Sequence, residues 1–321
     1  MKRIVVLGGS GFVGTSLCEQ LVAHPDLAGA SVVVPTRRRA QARHLLTLPA
    51  VHVQEMSVHD ETALAQLVRG ADVVINLIAI LHGSAQDFDQ VHVQFPRKLA
   101  AACEREHVRR VIHVSALGVP AQADQAPSNY LRSKAQGEQV WRQSALDVTL
   151  LRPSVIFGAR DRFLNLFAEL QAVLPVVALA GANARFQPVW VEDVARAMVR
   201  CVLDPRTAGQ VIECAGPQVY MLADLVRLAG RCSGHPRPVV PVPEVVGRMQ
   251  ALMLSVLPGE PLMSGDNLDS MKVPNVATGT LPGLASLGIE PASLEAIGPA
   301  YLGRGVNWSD RLDAWRARAR R

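Results

Sequence analysis

Ile4-Val5-Val6-Leu7-Gly8-Gly9-Ser10-Gly11-Phe12-Val13-Gly14 decides the fold. Its apolar run reads as a strand buried on both faces, the pattern of a parallel sheet. The glycines follow at once, and the periodicity then becomes helical over Val13–His24. A strand entering a helix through a glycine-rich turn leaves unpaired N–H groups and the positive end of the helix dipole facing outward. That arrangement suits a diphosphate. Gly8 is assigned to the tight turn, Gly11 to close approach of backbone and phosphate, and Gly14 to close helix–strand packing. Ser10, Phe12 and Val13 complete the cradle. Glycine turns also serve as plain connectors, and the context has to choose between the two readings.

Outward from the turn, the context favours a nucleotide. Strands are expected at Arg3–Leu7, Ser31–Pro35, Val51–Gln54, Val73–Leu77, Arg110–Ser115 and Val148–Arg152. Helices are expected between them at Val13–His24, Arg38–Leu46, Glu61–Val68, Gln90–Glu106 and Asn129–Gln143. Strand–helix alternation of this kind gives an α/β fold, a doubly wound parallel Rossmann sheet with right-handed crossovers. After Gly158 the rhythm changes. Pro188–Val199 reads as a strand running into a helix, Gln210–Ala215 as a strand and Met221–Ala229 as a helix, and the chain from Pro236 has no clean period. The expected organisation is a Rossmann core over residues 1–158, with 186–215 returning to it. A smaller, mostly helical lobe takes 159–185 and 216–321.

The end of the second strand bears on the choice of dinucleotide. NAD sites place an Asp or Glu there, on the ribose 2′-hydroxyl. Here Ser31-Val-Val-Val-Pro-Thr36 runs into Arg37-Arg38-Arg39. A guanidinium can grip a 2′-phosphate that a carboxylate would repel. NADP(H) is therefore favoured, held by Thr36, Arg37 and Arg38, with NAD(H) as the alternative. The plainer reading is the basic start of a surface helix.

Ser115 closes the strand Val111-Ile-His-Val, and Tyr130-Leu-Arg-Ser-Lys134 follows on an expected helix. Residues four apart share a helix face. A neighbouring ammonium favours the phenolate of a tyrosine whose free pKa is about 10. Tyr130 could then exchange a proton with a substrate oxygen held by Ser115, while Lys134 grips the nicotinamide ribose. By itself the Tyr/Lys spacing is common and usually decorates a helix.

Taken with the glycine turn, these motifs make the chain similar to the extended and atypical short-chain dehydrogenase/reductase superfamily, of the NAD-dependent epimerase/dehydratase type. The likeness runs through Ala71-Asp-Val-Val-Ile-Asn-Leu-Ile, Val108–Ala116, Tyr130–Lys134, Leu151-Arg-Pro-Ser-Val-Ile-Phe-Gly158 and Pro188-Val-Trp-Val-Glu-Asp-Val. More narrowly, Tyr130–Glu138, Ile156–Asn165 and Gln187-Pro-Val resemble the family of the nucleotide-binding accessory subunit of respiratory complex I, alpha-subcomplex subunit 9. Asp161-Arg-Phe-Leu-Asn165 is its most specific piece. The resemblance implies tight NADP(H) binding without a settled turnover reaction. It also places Leu77, Ile78 and Ala79, and Pro153, Ser154 and Val155, beside the nicotinamide. Ser57, next to Val58, stands where many relatives place an adenine-contacting Asp, and His92 where active relatives carry a structural Asn. Ser115 lies only 15 residues before Tyr130, a shorter segment than typical extended members have. These departures bear on substrate chemistry more than on cofactor binding.

Composition excludes other classes. Thirty-three basic against 28 acidic residues give only +5, without a basic stripe interleaved with aromatics, so nucleic acid is not an expected partner. Part of the excess is terminal: Arg311, Arg316, Arg318, Arg320 and Arg321. It reads first as a solvated helix, and second as a contact with an acidic partner or anionic membrane surface. Five scattered cysteines without a C-x-x-C are cytosolic usage. The first strand is too short for a signal peptide, and the uncharged stretch Val273–Ile289 carries prolines and glycines, so no transmembrane segment is expected. Nine histidines form no H-E-x-x-H or zinc spacing, and no metal is expected. His113 reads as a hydrogen-bonded core residue and Asp193 as a helix N-terminal residue. A cytoplasmic protein is expected, with a peripheral place at the inner membrane as the variant. Two functions stay open: an assembly or stability module holding NADP(H) against a respiratory membrane complex or other protein partner, and an NADP-dependent oxidoreductase or epimerase with Tyr130 as acid–base.

Overall fold

The computed structural model describes residues 2–255 and 264–302, so the terminal arginines from Arg311 lie outside the described residues. The chain forms two compact units. The first comprises the chain to Pro153, Val191–Cys214 and Ala277–Glu290. The second comprises Ser154–Trp190, Ala215–Val276 and the chain from Pro291.

The first unit is built on seven strands: β1 (Arg3–Leu7), β2 (Ser31–Thr36), β3 (Val51–Glu55), β4 (Val73–Asn76), β5 (Arg110–Val114), β6 (Asp147–Pro153) and β7 (Val211–Cys214). Their order is β7-β6-β5-β4-β1-β2-β3, with every pair parallel. Winding proceeds outward from β1 in one direction and from β4 in the other. The seam between these two strands is the switch point at which such sheets bind ligands, at the carboxyl ends of the strands. Ile4, Val5, Val6 and Leu7 are fully buried, as the uninterrupted apolar run requires.

Helices cover the sheet: α1 (Phe12–Ala23), α2 (Glu61–Val68), α3 (residues 85–105), α4 (Asn129–Gln143) and α5 (Val191–Leu203). Asp60 starts α2 by accepting the amides of Thr62 and Ala63 at 2.9 and 3.1 Å. Ser128 starts α4 by accepting the amide of Leu131 at 3.1 Å. Leu64, Leu67, Leu99, Cys103 and Trp141 from the helices pack with Val5, Val74, Val111 and Leu150 of the strands. Each such aliphatic side chain contributes roughly 1.5–3 kcal/mol when fully buried.

Two elements differ from the expected helices. Residues 39–47 form a 3₁₀ helix, Arg39–Thr47, in place of an α-helix. Its two buried side chains, Ala42 and Leu45, are three residues apart, which matches the three-residue turn. Helix α3 begins before Gln90: it comprises Ala85–Asp89, a π-helical turn Gln90–Gln94, and Phe95–Arg105. A capping box of Ser84 and Asp87 supplies the earlier start. The segment from Ala277 returns to the first unit through the Glu213 amide on the Pro282 carbonyl and the Thr278 amide on Glu213 Oε2, both 2.8 Å.

The second unit pairs short strands: Ile156–Phe157 with Val189–Trp190, Val177–Leu179 with Val239–Pro241, and Arg185–Phe186 with Tyr220–Met221. The rest is mostly helix, at Leu164–Val173, Leu222–Ser233, Glu244–Ser255, Gly265–Ser270 and Leu294–Leu302. The specific run at 161–165 has a structural role here. Asp161 Oδ1 accepts the amides of Phe163, Leu164 and Asn165, while Oδ2 accepts from the Gly158 amide and the Tyr301 hydroxyl. Among the described residues no helix is long and apolar enough to cross a membrane.

Candidate dinucleotide site

The glycine turn follows β1 at the carboxyl edge of the sheet. Gly8 has φ +82°, a left-handed conformation that disfavours side chains. Gly14 is required for a reason different from the expected helix–strand packing. A Cβ there would stand 2.3 Å from the Gly8 carbonyl oxygen and 2.5 Å from Gly9 Cα, so the turn folds back onto its own helix. Close packing on the sheet falls instead to Gly9, whose Cβ would meet Val34 Cγ1 of β2 at 2.8 Å. Gly11, by contrast, has only the Gly8 oxygen nearby, at 3.3 Å. It precedes α1 in an extended conformation, and the first turn of α1 carries no acidic residue. The amides of Phe12, Val13 and Gly14 open the helix without an intrahelical partner, and among the described residues no carboxylate accepts from them. A diphosphate fits this cradle in shape and charge.

Beside the turn, β2 ends at Thr36, whose hydroxyl bonds the Arg38 carbonyl and accepts its amide at 3.2 and 3.3 Å. Arg37, Arg38, Arg39 and Arg43 are all exposed. None of their guanidinium groups has a hydrogen bond or ion pair among the described residues. His44 ties this segment to the glycine turn. Its Nε2 lies 3.0 Å from Thr15 Oγ1, which donates to the Gly11 carbonyl at 2.7 Å, so the histidine nitrogen is the donor. Arg43 and His44 were not legible as site residues, because nothing local distinguishes them from a surface helix. Ser57 is exposed and accepts the His59 amide at 3.3 Å, and Val58 packs against the core.

Across the switch point, Leu77 continues the sheet by donating to the Leu7 carbonyl at 2.9 Å. The loop beyond it hangs on two buried side chains. Asn76 Oδ1 accepts the Ile78 amide at 3.1 Å, and His92 Nε2 accepts the Ile80 amide at 3.2 Å. Ala79 between them is exposed. His113 is a core residue, its Nδ1 3.2 Å from Asn76 Nδ2 and its ring tilted on Trp141.

Ser115 follows β5, its amide on the Leu151 carbonyl at 2.7 Å. Its enclosed hydroxyl makes no hydrogen bond of normal geometry, yet lies close enough to Glu138 to favour that carboxylate's charged form. Lys134 reaches from α4 to the Val114 carbonyl at 3.1 Å, with Nζ 5.9 Å from the centre of the Tyr130 ring. The Tyr130 ring stands edge-on to Phe88 and His92. The ionisation states differ from the expected phenolate. Burial raises the Tyr130 phenol to about 12, whereas burial lowers Lys134 to about 8, with Glu138 partly opposing that fall. In this arrangement Lys134 acts on backbone and charge around the ring without ionising it.

Glu138 continues the Tyr130–Lys134 face of α4. Burial would raise its carboxyl, but the Arg152 fork at 2.8 and 2.7 Å, with Ser115 and Arg142, holds it below the usual range. The residue is readable as the next step of the four-residue spacing. Pro153, where the first unit's opening segment ends, accepts the Leu117 amide at its carbonyl at 2.9 Å. Ser154 and Val155 belong to the second unit, where both bond Asn275 Oδ1, at 2.7 and 2.8 Å. Asp193 is buried in the first turn of α5 and pairs with Arg196. Among the described residues no group of three or more His, Cys, Asp or Glu is placed to hold a metal ion.

The first unit thus gathers Gly8–Gly14, Thr36–Arg38, Leu77–Ala79, Ser115 and Pro153 at the carboxyl ends of β1, β2, β4, β5 and β6. Such an edge defines a Rossmann-type dinucleotide-binding protein. Residues 8–205 match the NAD(P)H-binding family model, and the chain belongs to that family. Within it, the chain is 32% identical over 297 residues to NADH dehydrogenase (ubiquinone) 1 alpha subcomplex subunit 9, mitochondrial, of Mus musculus, covering 90% of this chain and 77% of the relative. Solved structures agree on the fold. A nucleoside-diphosphate-sugar epimerase of Staphylococcus aureus superposes with a TM-score of 0.73 at 16% identity, over 94% of this chain and 100% of that one. The NADPH-dependent quinone oxidoreductase of Escherichia coli, complexed with NADPH, superposes with a TM-score of 0.72 at 19% identity, over 93% and 99%.

Proposed function

We propose that this chain holds NADP(H) tightly as a structural ligand and serves the assembly or stability of a larger complex, with turnover secondary. The observation that carries the cofactor choice is the set of unpartnered guanidiniums at Arg37, Arg38, Arg39 and Arg43, beside the phosphate turn. Four such cations at the end of β2 repel one another until an anion joins them, and a 2′-phosphate is the anion that a dinucleotide would bring there. Ser10 to Gly14 hold the diphosphate, Thr36 to Arg38 the 2′-phosphate, and Ser57 and Val58 border the adenine. Leu77 to Ala79 and Pro153 flank the nicotinamide, and Lys134 binds its ribose. A ligand present at 100 times its Kd stabilises a fold by about 2.7 kcal/mol, enough to justify a purely structural cofactor. The likeness to a complex I subunit supports a protein partner, and peripheral placement beside a membrane complex follows from that reading.

The second reading is an oxidoreductase or epimerase. It is favoured by the protonated Tyr130 phenol with Lys134 Nζ 5.9 Å from its ring centre, a pair able to give a proton to a carbonyl oxygen. Bound NADP(H) would supply the hydride.

Releasing the nucleotide from purified protein and identifying it by mass tests the cofactor. The variant Arg37→Asp with Arg38→Ala should weaken NADP(H) by ten- to a hundredfold, since each charge-assisted contact is worth about 1.5 kcal/mol or less at an exposed position. NAD(H) affinity should stay within about threefold. Equal losses for both would remove the 2′-phosphate argument. Sustained turnover of a physiological carbonyl, abolished by Tyr130→Phe, would favour the second reading.

A further inference from the structure

We infer that His44 sets the preference of this site for NADP(H) over NAD(H), as the positioning residue that holds the arginine segment at a fixed distance from the diphosphate turn. The inference rests on the proposed NADP(H) reading and names what enforces its selectivity. The 2′-phosphate and the diphosphate of NADP(H) hang from one ribose, so the ligand itself fixes their separation. A protein that grips both gains affinity when its two anion-binding segments already stand at a matching separation. The guanidiniums of Arg37, Arg38, Arg39 and Arg43 cannot set that distance. They have no hydrogen bond or ion pair among the described residues, and like charges push them apart.

The segment that carries them is held in three ways. Thr36 closes a turn on the Arg38 backbone, at 3.2 and 3.3 Å. Ala42 and Leu45 anchor the 3₁₀ helix by burying their side chains. His44 then crosses to the other phosphate-binding segment, with Nε2 3.0 Å from Thr15 Oγ1 in the first turn of α1. The receiving end is equally determined. Thr15 is 2% exposed, and its amide and its hydroxyl both donate to the Gly11 carbonyl, at 2.9 and 2.7 Å. With that hydrogen committed, the hydroxyl can only accept from His44, and the bond has one direction. Nε2 carries its hydrogen in this neutral tautomer and in the imidazolium alike, so the clip holds in either charge state. Its fixed end is Gly11, the residue over which the diphosphate is read to pass. A histidine that merely decorated an exposed helix would not end on a buried hydroxyl of the phosphate turn.

Titrating NADPH and NADH side by side tests the assignment. His44 is exposed, so replacing it opens no hole in the core. In His44→Leu, which keeps the bulk but loses the donor, NADPH should bind about five- to tenfold more weakly while NADH stays within about twofold. His44→Gln, whose amide can donate to Thr15 Oγ1, should restore most of the lost preference. Thr15→Val, which removes the acceptor and keeps the shape, should lower the preference in the same direction. Equal weakening of both cofactors in His44→Leu would overturn the role of His44. So would an unchanged preference in both His44→Leu and Thr15→Val. An unaltered protein that bound NADH as tightly as NADPH would instead overturn the 2′-phosphate reading on which the inference stands.

Discussion

Two glycines three residues apart should fail in opposite ways when each is changed to alanine. At Gly14 the new methyl would lie 2.3 Å from the Gly8 oxygen and 2.5 Å from Gly9 Cα, inside the 3.0 Å that real Cβ contacts respect. Both obstacles are backbone and cannot rotate away, so the turn and α1 must part by well over half an ångström. Overpacking of this kind costs about 1–3 kcal/mol. Alanine's better helix propensity returns at most about 1 kcal/mol. A net loss of about 2 kcal/mol lowers the melting temperature by roughly 4–8 °C. At Gly11, φ −81° and ψ −178° suit any residue, and the nearest atom is 3.3 Å away. Gly11→Ala should melt within about 3 °C of the parent, the change expected of a modest N-cap loss. On the proposed reading the diphosphate passes over Gly11, so NADPH affinity should fall at least about tenfold. Thermal melts without nucleotide, paired with calorimetric titration of NADPH, separate the two effects. Parent-like affinity in Gly11→Ala would show that no phosphate crosses this turn. Parent-like melting in Gly14→Ala would show that the close contact does not constrain it.

The state of Lys134 makes binding pH-dependent. With its pKa lowered to about 8, the ammonium is present at pH 7 and lost above 8, so NADPH should bind about tenfold more weakly at pH 9.5 than at pH 7. The titration should flatten in Lys134→Met, and an identical slope in that variant would assign the effect elsewhere. The Glu138–Arg152 pair, with side chains 3% and 13% exposed, should behave as a buried pair. Glu138→Gln should cost about 3–5 kcal/mol in denaturant unfolding, whereas Glu138→Leu with Arg152→Met should cost far less. Because the folded Glu138 carboxyl titrates below its unfolded value, the pair's contribution is complete above the ordinary carboxylate range and disappears as pH falls through that lower value. An acid transition identical in Glu138→Gln and the parent would contradict this account.

Local pattern alone determined a great deal of this protein. Apolar runs of four to six residues marked the sheet strands to within one or two residues, and Glu61–Val68 and Asn129–Gln143 were readable as helices from their spacing. The glycine turn, the basic end of β2 and the Tyr130–Lys134 face were readable for the same reason: chain neighbours in a regular element have fixed geometry. His113 was readable as a core residue because it sits inside an apolar strand.

Only the tertiary structure decided which distant groups meet. Nothing near Gly9 announces that Val34 will lie against it, and nothing near Gly137 announces the His92 carbonyl. The 3₁₀ form of Arg39–Thr47 goes with contacts from Ala42, Leu45 and His44 to the rest of the unit, and the return of 277–290 goes with bonds to Glu213. The Tyr130 phenol was misjudged from the sequence because spacing shows the ammonium one turn away but not the packing around the ring, and here burial outweighs the neighbouring charge. Periodicity fixes directions along one element, while close approach, burial and the pairing of polar groups arise where elements cross.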